Sequence, residues 1–331
     1  MKRVFLVAPM RDCQTGPYVE RAFKNLNWAV ASYDMRHIEK VMGRERMNEH
    51  IKFNLTKLSP KPDLFLVLKG LEVSSDTIDF VKSLGIKTAC WIYDATLNGT
   101  PMPECADYIK LMNHYDTFYS YCNNIEDLKK AGSTNVKLLP EGYDPIDNGE
   151  QVINKYMTRK FGSDIGFIGS IDNIHPCRED FLERVIDEGF DIKIYGELKK
   201  ENISKKILSK HQRTVVINEF HSYVSQASKI CLGGLDSDFM VDESHSARIY
   251  RTLSCGGFYL CRKTNGIEKV FTPGVHIATF ETEDEMIEKI IYYLNNPEER
   301  EKIAKAGQEK VKEYTFEKRI EKEFGTGKTD E

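Results

Sequence analysis

The chain has 331 residues, room for about two domains of ~150 residues each. Apolar side chains make up 40% and charged ones 30%, a globular balance that excludes a disordered chain. With 47 basic and 51 acidic residues the net charge is −4, which excludes a dedicated polycation for nucleic acid but not a local basic patch.

Strand and helix patterns alternate along the sequence. Met1 to Met10 has basic residues and an apolar run, as an export signal does. The run is short and meets Arg11-Asp12, so residues 3–8 read as a buried first strand. A helix is predicted from about Pro17 to Leu26, a strand near 29–34 and a polar helical stretch over about 37–57. Leu64 to Leu68 is continuously apolar and ends near Gly70, the pattern of a parallel strand covered on both faces. A helix near 75–84 and strands at 87–93, 116–121 and 135–139 complete a first unit.

The segment Leu139-Pro140-Glu141-Gly142-Tyr143-Asp144-Pro145 breaks the pattern and marks a domain boundary. Alternation then restarts, with a strand at 164–169 and a helix from Pro176 to Glu188. Further strands are predicted at 191–195, 214–217, 229–232, 258–261 and 276–279. Thr282 and Glu285 form a capping box before an apolar helix face, and Asn296-Pro297 opens another helix. A last helix over about 315–324 runs into a tail that reads as frayed. The reading is an α/β chain of two Rossmann-like domains, 1–145 and 146–314, with 315–331 as a C-terminal helix and tail. A ligand is expected in a cleft between the domains.

No 18-residue apolar run is present, so no membrane span is expected. The eight cysteines form no CxxC pair, and the eight histidines form no HExxH or HxxxH. Reduced thiols, a cytoplasmic location and no metal or other cofactor follow as expectations.

The densest chemistry runs from Asp242 to Gly257. A helix is predicted to start near Ser244 to Ser246, carrying Arg248 and Arg251 three residues apart. Free N–H groups at its start, with two guanidiniums, describe an anion site suited to a diphosphate. Glu243 is placed to accept from sugar hydroxyls. An ordinary capped helix with solvated arginines fits the same residues.

The pattern around this helix resembles CgeB-like (spore maturation protein type) glycosyltransferases of the GT-B superfamily. The matching stretches are Ile165-Gly166-Phe167-Ile168-Gly169-Ser170, Arg178, Ile192-Lys193-Ile194-Tyr195-Gly196, Ser246-Ala247-Arg248, Leu253 to Phe258, Glu268, and Tyr293-Leu294 to Tyr314-Thr315-Phe316. Looser matches are Pro62-Asp63-Leu64, Lys69-Gly70, Trp91-Ile92-Tyr93-Asp94 and the 139–145 segment. The resemblance implies a GT-B fold, two Rossmann-like domains facing across a cleft. It also implies a nucleoside-diphosphate sugar as co-substrate, held mainly by the second domain.

By the same resemblance the donor side comprises Gly169, Ser170, Arg178, Tyr195, Gly196, Glu219, Phe220, His221, Glu243, Ser244, His245, Ser246, Ala247, Arg248 and Arg251. Arg178 falls where relatives hold the diphosphate, and Glu219-Phe220-His221 where they hold the base, largely by backbone. Glu243 falls at the first acid of the relatives' paired-glutamate motif. Arg251 stands where the second acid, which holds the ribose, would be. Tyr93-Asp94 lie near a position where many retaining relatives carry a histidine, which this chain lacks. An inverting reaction would need a carboxylate base, and Asp94 and Asp12 are the candidates. The acceptor side is expected to include Arg11, Gly16, Tyr18, Trp91 and Tyr93.

The acceptor is open: polysaccharide, protein, small molecule, or a hydroxymethylated base in DNA. Residues 36–61 hold Arg36, Lys40, Arg44, Arg46, Lys52, Lys57 and Lys61 against Glu39, Glu45 and Glu49. That stretch is either a solvated helix face or a surface for an anionic polymer. A catalytically silent nucleotide-sugar-binding or coat scaffold protein and a nucleotide-sugar epimerase are the other readings. Asp236-Ser237-Asp238 has a metal-motif spacing but sits late in the second domain. Gly325-Thr326-Gly327-Lys328-Thr329 lacks the earlier glycine of a phosphate loop.

Overall fold

The computed structural model describes residues 1–11, 15–93, 105–122, 124–173, 175, 177–214, 216, 218–235 and 246–328, with backbone alone at 105–107. The chain forms two compact units. Unit 1 is Met1–Glu141 with Phe316–Glu331, and unit 2 is Gly142–Thr315.

Unit 1 is built on six parallel strands: β1 (Arg3–Ala8), β2 (Ala29–Asp34), β3 (Leu64–Leu68), β4 (Lys87–Ile92), β5 (Thr117–Ser120) and β6 (Val136–Leu138). Their order is β2-β1-β3-β4-β5-β6. Side chains alternate across each strand, so one apolar run feeds two cores. Phe5, Val7, Phe65, Val67, Cys90 and Ile92 pack on one face, with Met47, Ile51 and Leu55 of the helix Arg44–Lys57. Val4, Leu6, Leu64, Leu66, Leu68 and Trp91 pack on the other, with Tyr18 and Phe23 of the helix Thr15–Asn25. Phe316 and Ile320 of the final helix, Phe316–Phe324, complete that second core.

The polar stretch 37–57 is not one helix. Met35–Met42 and Arg44–Lys57 are separated by Gly43, whose φ of +82° breaks the ladder. Asp34 caps the first of them, accepting from His37 N–H at 3.3 Å. The tail is not frayed over its described length. Lys2 N–H donates to Gly327 O at 2.8 Å, Gly327 N–H to Leu26 O at 2.7 Å, and Trp28 Nε1–H to Gly325 O at 3.0 Å. A Cβ at Gly327 would stand 2.0 Å from Asn27 O, so only glycine fits this strap.

Unit 2 holds β7 (Ile165–Ile168), β8 (Ile192–Tyr195), β9 (Ile230–Gly233), β10 (Tyr259–Arg262) and β11 (Ala278–Phe280), all parallel, in the order β11-β10-β9-β7-β8. Ile165, Phe167, Ile194, Leu232, Leu260 and Phe280 pack under the helices Cys177–Asp187, Glu283–Asn295 and Pro297–Val311. The strand expected at 214–217 is absent from the sheet, and the described Thr214 and Val216 lie outside strands. The chain before it pairs with β8 at the bridge Ile194↔His211, and Thr214 O accepts from Gly196 N–H at 3.2 Å. Arg213 then turns to φ +53° and Asn218 to +49°, which extended chain cannot accommodate. No described helix is long and apolar enough to cross a membrane.

Candidate functional site

Strand order in unit 2 reverses between β7 and β9, and open α/β sheets bind ligands outside the carboxyl ends of strands at such a point. Gly169 follows β7, and its N–H donates to Tyr195 O at 2.9 Å. Gly196 follows β8 with φ +132°, and a Cβ on it would lie 2.2 Å from Gly169 O. Two strand ends therefore meet backbone to backbone.

A turn fixes the next residues. Ser170 Oγ donates to Asp172 Oδ2 at 2.6 Å, and Asp172 Oδ1 accepts from His175 N–H at 3.0 Å. Arg178 is only 4% exposed. Its Nη1 donates to Ser170 O at 2.9 Å and to Ser170 Oγ at 3.3 Å. This guanidinium is thereby anchored at the carboxyl end of β7.

Arg248 reaches the same place from the far side of the switch point. Its guanidinium lies over the Phe167 ring, 5.7 Å from the centroid. Its Nη2 would be 3.1 Å from a Cβ on Gly169. Arg251 follows one turn later on the helix Arg248–Ser254. His221, on the helix Glu219–Ala227, is buried, and its Nδ1 lies 3.4 Å from Ser225 Oγ. Burial first, then the charges of Arg251 and Arg248, push its pKa down to about 3, so the imidazole is neutral. The geometry thus gathers Gly169, Ser170, Arg178, Gly196, His221, Arg248 and Arg251 at one end of the sheet.

Next to His221 in the chain, the exposed ring of Phe220 walls a hollow of about 190 Å³ with Phe161 and Tyr195. Phe161 and Phe220 meet edge to face at 6.0 Å, and the Tyr195 hydroxyl donates to Phe161 O at 3.3 Å. A planar ring fits such a wall. Glu219, half-buried, opens the same helix.

Several expectations need correction. The helix begins at Arg248, not near Ser244–Ser246. Ala247 is its cap residue without a side-chain bond, and Ser246 Oγ accepts from Arg248 N–H at 3.3 Å. That helix has only seven residues, too few for its terminus to count as the anion site that was expected there. On the acceptor side, Trp91 is fully buried and its Nε1–H is spent on Leu139 O at 2.8 Å. Tyr18 is likewise core, stacked with Phe316, and a Cβ at the buried Gly16 would meet Pro9 O at 2.2 Å. These three support the fold and offer no contact surface. Tyr93 is half-buried against Trp91, and Arg11 is exposed.

Asp12, Asp94, Glu243, Ser244 and His245 lie outside the described residues, as does the 236–238 motif. Among the described residues no cluster of His, Cys, Asp or Glu is grouped to hold a metal. Sequence reading missed Phe167 beneath Arg248 and Asp172 behind Ser170. The Ser170-Ile171-Asp172 turn spacing was a usable signal for the second.

Comparison with known proteins gives two results. Residues 178–323 match a family model described as glycosyl transferase-like. Over nearly the whole chain the fold resembles solved structures at low identity. HepE of Anabaena, solved in complex with UDP and glucose, superposes with a TM-score of 0.70 at 10% identity, covering 97% of this chain and 99% of that one. Sucrose-phosphate synthase from Thermosynechococcus elongatus gives 0.68 at 9% identity, covering 95% of each chain. A glycosyltransferase from Rickettsia africae gives 0.64 at 12%, covering 98% of each. No curated protein matches by sequence.

Proposed function

We propose that this glycosyltransferase of GT-B fold, with its family domain over residues 178–323, transfers a sugar from a nucleoside-diphosphate donor held by unit 2 to a hydroxyl acceptor. One observation carries the donor assignment. Arg178, anchored on Ser170, and Arg248, lying over Phe167 beside Gly169, both reach the end of β7. A diphosphate laid there meets two planar cations. As the sugar–phosphate bond breaks, negative charge grows on the leaving phosphate, and fixed guanidiniums stabilise it without reorganising. The base lies against Phe220 and Phe161. Glu243 takes sugar hydroxyls, and Asp94 or Asp12 serves as base if the reaction inverts. No metal is assigned a role. The CgeB-like type and a cytoplasmic setting belong to this reading. The thiol state of the buried Cys90, Cys231, Cys255 and Cys261 supports that setting.

UDP and UDP-sugars are the first ligands to test, because the HepE structure holds UDP and glucose. A thermal-shift and calorimetric panel of nucleotide sugars should give a stabilising hit that Arg248→Ala weakens by tenfold or more. Undiminished donor affinity and transfer in that variant would refute the site. Binding without release of nucleoside diphosphate, across candidate acceptors, would favour the silent scaffold.

A phosphate-bearing acceptor such as DNA is the second reading, favoured by one surface of unit 1. On the helices Met35–Met42 and Arg44–Lys57, Glu39 is taken by Arg44 at 2.9 Å and Glu49 by Lys52 at 2.7 Å. Lys61 caps the second helix through Leu55 O at 2.7 Å and Thr56 O at 2.9 Å. Arg36, Lys40, Arg46 and Lys57 remain on the exposed side. Duplex binding that falls steeply with salt would support this acceptor class.

A further inference from the structure

The buried imidazole of His221 has two nitrogens in different situations. Nδ1 faces Ser225 Oγ at 3.4 Å, one turn along the same helix. Nε2, on the opposite edge of the ring, is buried and has no hydrogen-bond partner among the described residues. An unmade hydrogen bond at a buried polar atom is costly and points to a group supplied from elsewhere. The neighbouring charges say what that group is. Of the elements packed on the Glu219–Ala227 helix, the charged groups that act on the ring are Arg251 and Arg248, both cationic.

We propose that the neutral His221 side chain carries its proton on Nε2 and donates it as a hydrogen bond to a phosphate oxygen of the bound donor, completing the site begun by Arg178 and Arg248. This rests on the donor reading above and adds a side-chain contact where the resemblance implied mainly backbone. In this tautomer Ser225 O–H donates to Nδ1 and Nε2–H is left for the ligand. Burial first, and then the two guanidiniums, keep the ring from taking a second proton, so the contact holds its strength across neutral pH. Nothing is transferred: the proton stays on Nε2 and the phosphate oxygen accepts.

The test uses the full chain, with UDP and uridine as probes. His221→Leu keeps the buried volume and should lose about ten- to a hundredfold in UDP affinity, the range of a hydrogen bond to a charged partner, with uridine affinity unchanged. His221→Gln, whose amide N–H reaches the Nε2 position, should restore most of the loss. Nitrogen-15 spectra of wild-type protein with labelled histidine need no variant. They should show a proton-bearing Nε2 from pH 6 to 8 and a downfield shift of its proton on adding UDP. An Nδ1–H tautomer, an imidazolium, or a UDP-insensitive Nε2 overturns the proposal, as does unchanged UDP affinity in a folded His221→Leu. Failure of wild-type protein to bind any nucleoside diphosphate removes the donor reading itself, and this contact with it.

Discussion

Gly196 and Gly169 approach so closely that a methyl group on the first would stand 2.2 Å from the carbonyl oxygen of the second. Gly196→Ala therefore forces the two strand ends apart at a φ of +132° that side chains avoid. The expected cost is about 2 kcal/mol or more of stability in urea unfolding, with tenfold or greater loss of donor affinity. Gly85→Ala is the control. Its φ is +76° but nothing lies within 4 Å, so strain alone, about 1–2 kcal/mol, should appear, with donor affinity unchanged.

Arg178→Lys keeps the charge but loses the rigid guanidinium whose Nη1 donates to both Ser170 O and Ser170 Oγ. We expect turnover to fall tenfold or more with the fold intact. Equal kinetic constants for the two proteins would show that Arg178 serves only the turn.

Trp91→Phe should cost about 1–3 kcal/mol, because Leu139 O loses its donor inside the core. Buried as it is, Trp91 should leave acceptor KM untouched per folded molecule. A raised KM without lost stability would return it to the acceptor surface.

How far the sequence could be read is clear from particular residues. The runs Val4–Ala8 and Leu64–Leu68 read as strands buried on two faces, and the sheet uses them so. The Thr282–Glu285 box was equally plain: Thr282 Oγ accepts from Glu285 N–H at 3.2 Å, and the Glu285 carboxylate accepts from Glu281 N–H at 2.7 Å. The β-branched run at 214–217 misled, because its local preference yields to the positive φ angles on either side. Trp91 was ambiguous for another reason, since an aromatic at a strand end suits a core and a sugar platform alike. At the site, glycines and arginines were visible individually. That Arg248 lies on Phe167 and acts on His221 is a long-range fact, set by strand order rather than by any local motif.

Acid should weaken the fold through His221. Its folded-state pKa, about 3, lies below the ordinary value of 6.5, so the unfolded chain binds more protons between those limits. The contribution is complete above pH 6.5 and is lost as pH falls toward 3, at up to about 1.4 kcal/mol per unit. Urea unfolding of wild type and His221→Leu from pH 8 to pH 4 checks this, and the wild-type curve should fall more steeply. Parallel curves would place His221 in contact with solvent or a counter-charge.

The strap from Phe316 to Lys328 has a consequence for how the molecule comes into being. Phe316 and Ile320 close the core face that Tyr18 and Trp91 open, and Gly327 is pinned to Lys2. Residues 1–141 thus wait for residues from 316 onward, while the intervening Gly142–Thr315 is continuous in sequence. Unit 1 is therefore expected to become whole only after unit 2 has been made, so that unit 2 can close first. A chain cut short after Thr315 should lose cooperative unfolding of unit 1 and become protease-sensitive there, whereas unit 2 should stay resistant. Until Phe316–Phe324 has been made, the face of unit 1 that carries Tyr18 and Trp91 stays uncovered in the growing chain.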